Sequence, residues 1–138
     1  MRGRIDRGAG VARGERHDWW GVVLEAPEPG ELARFYAELL GWELVKDEPD
    51  WAAVGPPEGV AYLGFQRSEG FVPPVWPPRE GAQRVTMHLD FEVSDLPEAV
   101  AHAQQLGARL AAHQPQPQVR VLLDPAGHPF CLYVDPGA

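Results

Sequence analysis

Two side chains with acid–base chemistry, His88 and Asp90, stand two residues apart in the run Val85-Thr-Met-His-Leu-Asp-Phe-Glu-Val93. Apolar and polar residues alternate along this run as they do in a half-buried strand. On a strand, His88, Asp90 and Glu92 project to one face, and Leu89, Phe91 and Val93 to the other. The apolar set suits contact with a helix, which leaves the polar set facing away from it. Asp90 can then orient the His88 imidazole or raise its pKa, equipping His88 as a general base for proton transfer. The same spacing suits a structural hydrogen-bonded pair, and both readings stand. Cys131, between Phe130 and Leu132, reads as a small buried hydrophobe. A nucleophilic role would need a lowered thiol pKa. The other histidines carry less: His17 lies in a tail, His102 on a helix, His113 beside a Gln/Pro-rich loop and His128 in a tight turn.

These residues need elements to hold them. Residues 1–17 read as a flexible N-terminal tail, whose arginines (Arg2, Arg4, Arg7, Arg13, Arg16) are mixed with glycine and show no apolar periodicity. Trp19 to Glu25 reads as a strand, stopped by Pro27-Glu-Pro-Gly30. From Glu31, the spacing of Leu32, Phe35, Tyr36, Leu39 and Leu40 predicts a helix ended by Gly41. Three strands are predicted next, over 42–45, 51–54 and 60–66. The Pro-rich stretch that follows, with Val72-Pro-Pro-Val-Trp-Pro-Pro78 at its centre, reads as a semi-rigid spacer over about 68–84.

The second half repeats the plan. The strand at 85–93 leads to a helix with Asp95 as its cap, Glu98 at capping-box spacing, and Leu96, Val100, Ala103 and Leu106 as its apolar stripe. Gly107 stops it. Strands are predicted over 109–112, 119–123 and 129–134, the last two joined by the turn Asp124-Pro-Ala-Gly127. An offset of about 67 residues superimposes the halves and sets Glu28-Pro29 on Asp95-Leu96. The expected fold is therefore α+β, with module 1 at about 18–67 and module 2 at about 85–136 of a single domain over 18–136. Neither half-sheet could bury its apolar face alone.

A net charge of −8 leaves no basic face to neutralise phosphate, which argues against nucleic acid or an anionic membrane as partner. No stretch approaches the roughly 20 apolar residues of a membrane span. One cysteine makes no internal disulfide framework and fits a reducing cytoplasm.

Three motifs in order carry a resemblance: Pro29-Gly-Glu-Leu-Ala-Arg-Phe-Tyr-Ala-Glu-Leu-Leu-Gly-Trp42, His88-Leu-Asp-Phe-Glu-Val-Ser-Asp-Leu-Pro-Glu-Ala-Val100 and Asp124-Pro-Ala-Gly-His-Pro-Phe-Cys-Leu132. Phe65-Gln-Arg67 also matches a common first-module ending. Over residues 20 to 135 the chain resembles the glyoxalase/bleomycin-resistance/dioxygenase (vicinal oxygen chelate) superfamily, in its glyoxalase-like domain subgroup. The resemblance implies two tandem βαβββ modules forming a curved mixed-sheet cup around a ligand, and a homodimer. It also implies a divalent metal held by first-strand and last-strand positions of each module. Those positions fall on His88 and Cys131 in module 2, and on Gly21 and a residue at or near Gln66 in module 1. No carboxylate remains among them, so the metal site reads as degraded. No cofactor is assigned, and His88, Gln66 and Cys131 are what remains for a divalent metal, with Zn²⁺ the ion suited to Cys131 and His88. Trp20 and Trp51, on strands that would bound the cup, are expected to stack on a flat ligand beside Gln66, His88 and Cys131. The expected function is binding of an apolar or aromatic small molecule. The alternative is a lyase, isomerase or dioxygenase using His88 with a metal or with Asp90, but not a strict lactoylglutathione lyase.

Overall fold

Helix α1 (Pro29–Leu40) buries Pro29, Leu32, Ala33, Phe35 and Tyr36. It starts two residues before the periodicity suggested, because proline can fill the first helical position, whose N–H has no partner in any helix. Gly41 ends it in the left-handed conformation, at φ 65°. The computed structural model describes residues 2–4 and 10–137, and these fall into two units, Met1–Ser68 and Glu69–Ala138.

In the first unit, β1 (Trp20–Ala26), β2 (Glu43–Glu48), β3 (Trp51–Gly55) and β4 (Ala61–Arg67) form one sheet in the order β1-β4-β3-β2. The β1/β4 pair is parallel and the other two pairs are antiparallel. Helix α1 closes one face of this sheet, where Tyr36 stacks on Phe65 at 5.7 Å between ring centroids. Leu32, Phe35, Val54 and Leu63 complete this core, and each such side chain contributes about 1.5–3 kcal/mol when buried.

The second unit repeats the topology. Strands β5 (Leu89–Glu92), β6 (Arg109–Leu110), β7 (Val119–Leu123) and β8 (Pro129–Tyr133) run in the order β5-β8-β7-β6, with β5 parallel to β8. Asp95 caps α2 (Leu96–Gln105) by accepting the Glu98 N–H at 3.0 Å. The capping residues of the two helices, Glu28 and Asp95, differ in number by 67, so the helices start in register with the sequence repeat. The core here is smaller: Ala103, Leu122, Phe130 and Leu132 are buried, and Phe91 meets Phe130 edge-on at 6.3 Å. The α+β class and the paired βαβββ modules are as expected.

Four expectations change. The strand expected over 85–93 pairs only at Leu89–Glu92, because its partner β8 begins at Pro129, where the chain leaves the Asp124 turn and the imino nitrogen has no hydrogen to donate. Strand β6 is cut to two residues because the Gln114 amide takes over from the ladder, donating to Ala111 O and Val121 O and accepting from Val121 N–H. The stretch read as a spacer lies against its own unit instead. Val75 N–H bonds Gln83 O at 2.8 Å, Phe71 meets the His128 ring at 5.2 Å, and the Trp76 indole donates to His113 O at 3.1 Å. In the segment expected as a tail, residues 1 and 5–9, Arg7 among them, lie outside the described residues. Further along it, Arg13 donates to Gly59 O and Ala61 O and lies over the Trp19 ring, while Arg16 pairs with the buried Asp18.

Candidate functional site

The β5/β8 register sets Asp90 beside Cys131 and Glu92 beside Tyr133. Register neighbours of parallel strands point to the same face. Phe130 and Leu132 point to the α2 side, so Asp90 and Cys131 look out on the helix-free face. His88, two residues before Asp90, joins them. The donor atoms of His88, Asp90 and Cys131 all lie within 4.8 Å of one another. His88 Nε2 is 3.8 Å from Asp90 Oδ1, too far for a hydrogen bond but close enough for an ion pair when the imidazole is protonated. His88 and Asp90 are 49% and 58% exposed, whereas Cys131 is 8% exposed. Ala111 and Val121 flank the cysteine, and Trp76 and Val119 cover that cluster. Burial, then the Asp90 charge and its hydrogen bond, push the thiol up to about 11. Cys131 is therefore a neutral thiol at pH 7, not a poised nucleophile.

The helix-free face of the first unit is built differently. Gly21 is in register with Tyr62, and Gly64 with Val23. A β-carbon on Gly21 would fall 2.6 Å from the Tyr62 ring, and one on Gly64 would fall 2.9 Å from Trp51 Cζ2. So each glycine is the floor under an aromatic ring, a close approach that only a residue without Cβ allows. The register also relocates one expected residue. Gly21 and Gly64 carry numbers 67 below His88 and Cys131, so Gly64, not Gln66, is the counterpart of Cys131. Gln66 pairs with Glu25 and Trp51, and its counterpart is Tyr133. Trp20 is also displaced from expectation. It alternates with Gly21 and shares the side of Val22 and Leu24, towards α1, where it is 55% exposed. Trp51 and Gln66 thus share a face that Trp20 does not. Sequence reasoning missed Tyr62, Gly64 and Trp76. A glycine in mid-strand was the available signal for Gly64.

The sequence profile of the glyoxalase-like domain family matches residues 6–133. The chain belongs to the glyoxalase-like domain family. This glyoxalase-like chain shares its fold with solved structures of low sequence identity. A glyoxalase/bleomycin resistance protein/dioxygenase family enzyme from Burkholderia phytofirmans PsJN is 18% identical, with 83% of this chain and 95% of that chain covered and a TM-score of 0.61. A protein from Agrobacterium tumefaciens, solved in solution, is 21% identical over 83% and 93% of the two chains, with a TM-score of 0.60. A lactoylglutathione lyase from Agrobacterium tumefaciens is 14% identical over 87% and 95%, with a TM-score of 0.54. No curated protein matches the sequence.

The four positions at which the resemblance implies a metal do not suit a hard ion. Such an ion wants six or more oxygen ligands. Gly21 and Gly64 offer none and lie beneath aromatic rings. His88 and Cys131 add one nitrogen and one sulfur, and the sole carboxylate in their cluster, Asp90, stands outside the four positions. No described helix is long and apolar enough to cross a membrane.

Proposed function

We propose that this glyoxalase-like protein binds a small apolar or aromatic molecule on the helix-free face of its first sheet. One observation carries the reading: at both metal-ligand positions of the first unit a glycine supports an aromatic ring, Tyr62 over Gly21 and Trp51 over Gly64. Rings seated this way are held flat at low entropic cost and offer a stacking surface, worth about 0.5–1.5 kcal/mol per aromatic pair beyond the area buried. Calorimetric titration with a panel of flat aromatic acids and amines, set against aliphatic counterparts, tests this. Trp51→Ala should weaken aromatic binding several-fold. Saturable binding of the aliphatic set alone would overturn the reading. The use of a single cysteine, Cys131, supports a reducing, cytoplasmic setting. Exposed Met87 and Leu110 supply apolar surface for the homodimer that the resemblance implies, and light scattering would measure that state.

The 3.8 Å approach of His88 to Asp90 favours a second reading, an enzyme of lyase, isomerase or dioxygenase type. Asp90 would hold the imidazole that takes the substrate proton. Turnover unchanged in His88→Ala would remove it.

A further inference from the structure

We infer that Arg13 is a carboxylate anchor beside the aromatic rings of the first unit, so that the ligand taken there is a flat aromatic acid. The inference rests on the aromatic platform proposed above and adds the charge of the molecule it selects. Every part of it lies in the first unit. Gly55 alternates along β3 with Trp51 and Ala53, and Ala53 is in register with Gly64. Gly55 therefore opens on the same helix-free face as the Trp51 ring. A β-carbon on Gly55 would overlap Arg13 Nη2. The guanidinium thus fills the space over Gly55, as Tyr62 does over Gly21 and Trp51 over Gly64.

Its seat is fixed from three directions. Nη1 donates to Gly59 O, Nη2 donates to Ala61 O at 3.1 Å, and the guanidinium carbon lies 4.4 Å from the centre of the Trp19 ring. Ala61 is followed by Tyr62, so the charge stands at the Tyr62 end of the platform. The backbone that carries it is also anchored: Arg13–Glu15 form a 3₁₀ turn, Trp19 Nε1 donates to Arg16 O at 2.7 Å, and Arg16 pairs with buried Asp18. A guanidinium has five N–H donors, and the two carbonyls engage two of them. None of the ion pairs among the described residues includes Arg13. A planar cation held beside flat rings matches a carboxylate on a flat ligand. Its fork can take both oxygens, and the arginine is ordered before the ligand arrives. The chain's net charge of −8 repels anions in general, so a preference for the acid has to be local.

Naphthoate, naphthamide and naphthylmethylamine share one ring system and differ in charge. Each is titrated calorimetrically into the full chain. Naphthoate should bind about tenfold more tightly than naphthamide, and naphthylmethylamine more weakly than either. Added salt should shrink the advantage of the acid. Arg13→Gln should reduce the naphthoate-to-naphthamide ratio to about twofold or less. Gly55→Ala keeps the arginine but evicts its guanidinium from the seat, and should reduce the ratio at least about threefold. The two variants act by different routes, so either one decides the matter if the other folds poorly. Equal binding of acid and amide by the native chain, or a ratio unchanged in both variants, would overturn the role of Arg13 and leave the platform standing. Absence of binding by all three compounds would overturn the platform and this inference together.

Discussion

Gly64→Ala tests the aromatic platform of the first unit. A methyl group at this position would stand 2.9 Å from Cζ2 and 3.2 Å from Cζ3 of Trp51, and closer still to Cη2. Carbon atoms rest at about 3.5–4.0 Å, so the indole must swing off the strand by about 1 Å or more. Gly64 is not among the glycines with positive φ, so alanine brings no backbone strain. Without the ring above it, alanine in a strand is better than glycine by about 0.5–1 kcal/mol. With the ring in place, overpacking costs about 1–3 kcal/mol. The sign of the substitution therefore depends on Trp51. Gly64→Ala should destabilise the native protein and stabilise Trp51→Ala. Urea denaturation of the four proteins of this cycle should give a coupling of about 1–3 kcal/mol. Tryptophan emission of Gly64→Ala should also change as the ring leaves its seat. A coupling below about 0.5 kcal/mol, with the same sign of change in both backgrounds, would refute the argument that glycine holds the ring.

Cys131 predicts a pH dependence. Its thiol pKa is raised from 9.0 to about 11 in the folded protein, so the unfolded chain loses the proton first, and stability should be complete below pH 9 and fall as the pH rises through 11. Cys131→Ala should lack that decline, and Asp90→Asn should speed thiol labelling by Ellman's reagent at pH 8. Asp18 works in the opposite direction: hydrogen bonding from Arg16 holds its carboxyl below 3.8, so the stability it adds is present above that value and lost as the pH falls beneath it. Acid titrations followed by circular dichroism should show Asp18→Asn less sensitive to acid than the native chain. Buried Asp124 accepts the N–H groups of Ala126 and His128 at 3.0 and 2.9 Å. Asp124→Ala should cost roughly 2–4 kcal/mol in urea denaturation, because both donors sit in a tight turn and lose a charged acceptor.

The helices, their stops and the 67-residue repeat were legible because local chemistry specifies them. Pro29 and Gly41 bracket α1, Asp95 caps α2, and the apolar spacings need no distant partner. The His88–Asp90 side of β5 was legible for the same reason, since alternation along a strand is a local property. What lay beyond the sequence depended on partners far along the chain. Register is one such case: only the pairing of β1 with β4 shows that Gly64 answers to Cys131 while Gln66 lies two residues past it. Face is another, because Trp20 and Gly21 differ by one residue and so point oppositely, and no local signal said which of them α1 would cover. The third is Trp76, whose Pro-rich surroundings read as a spacer until the sheet supplied Ala111, Val121 and Cys131 as a surface to cover. Periodicity says that a strand has two faces; only the packed neighbours say what each face meets.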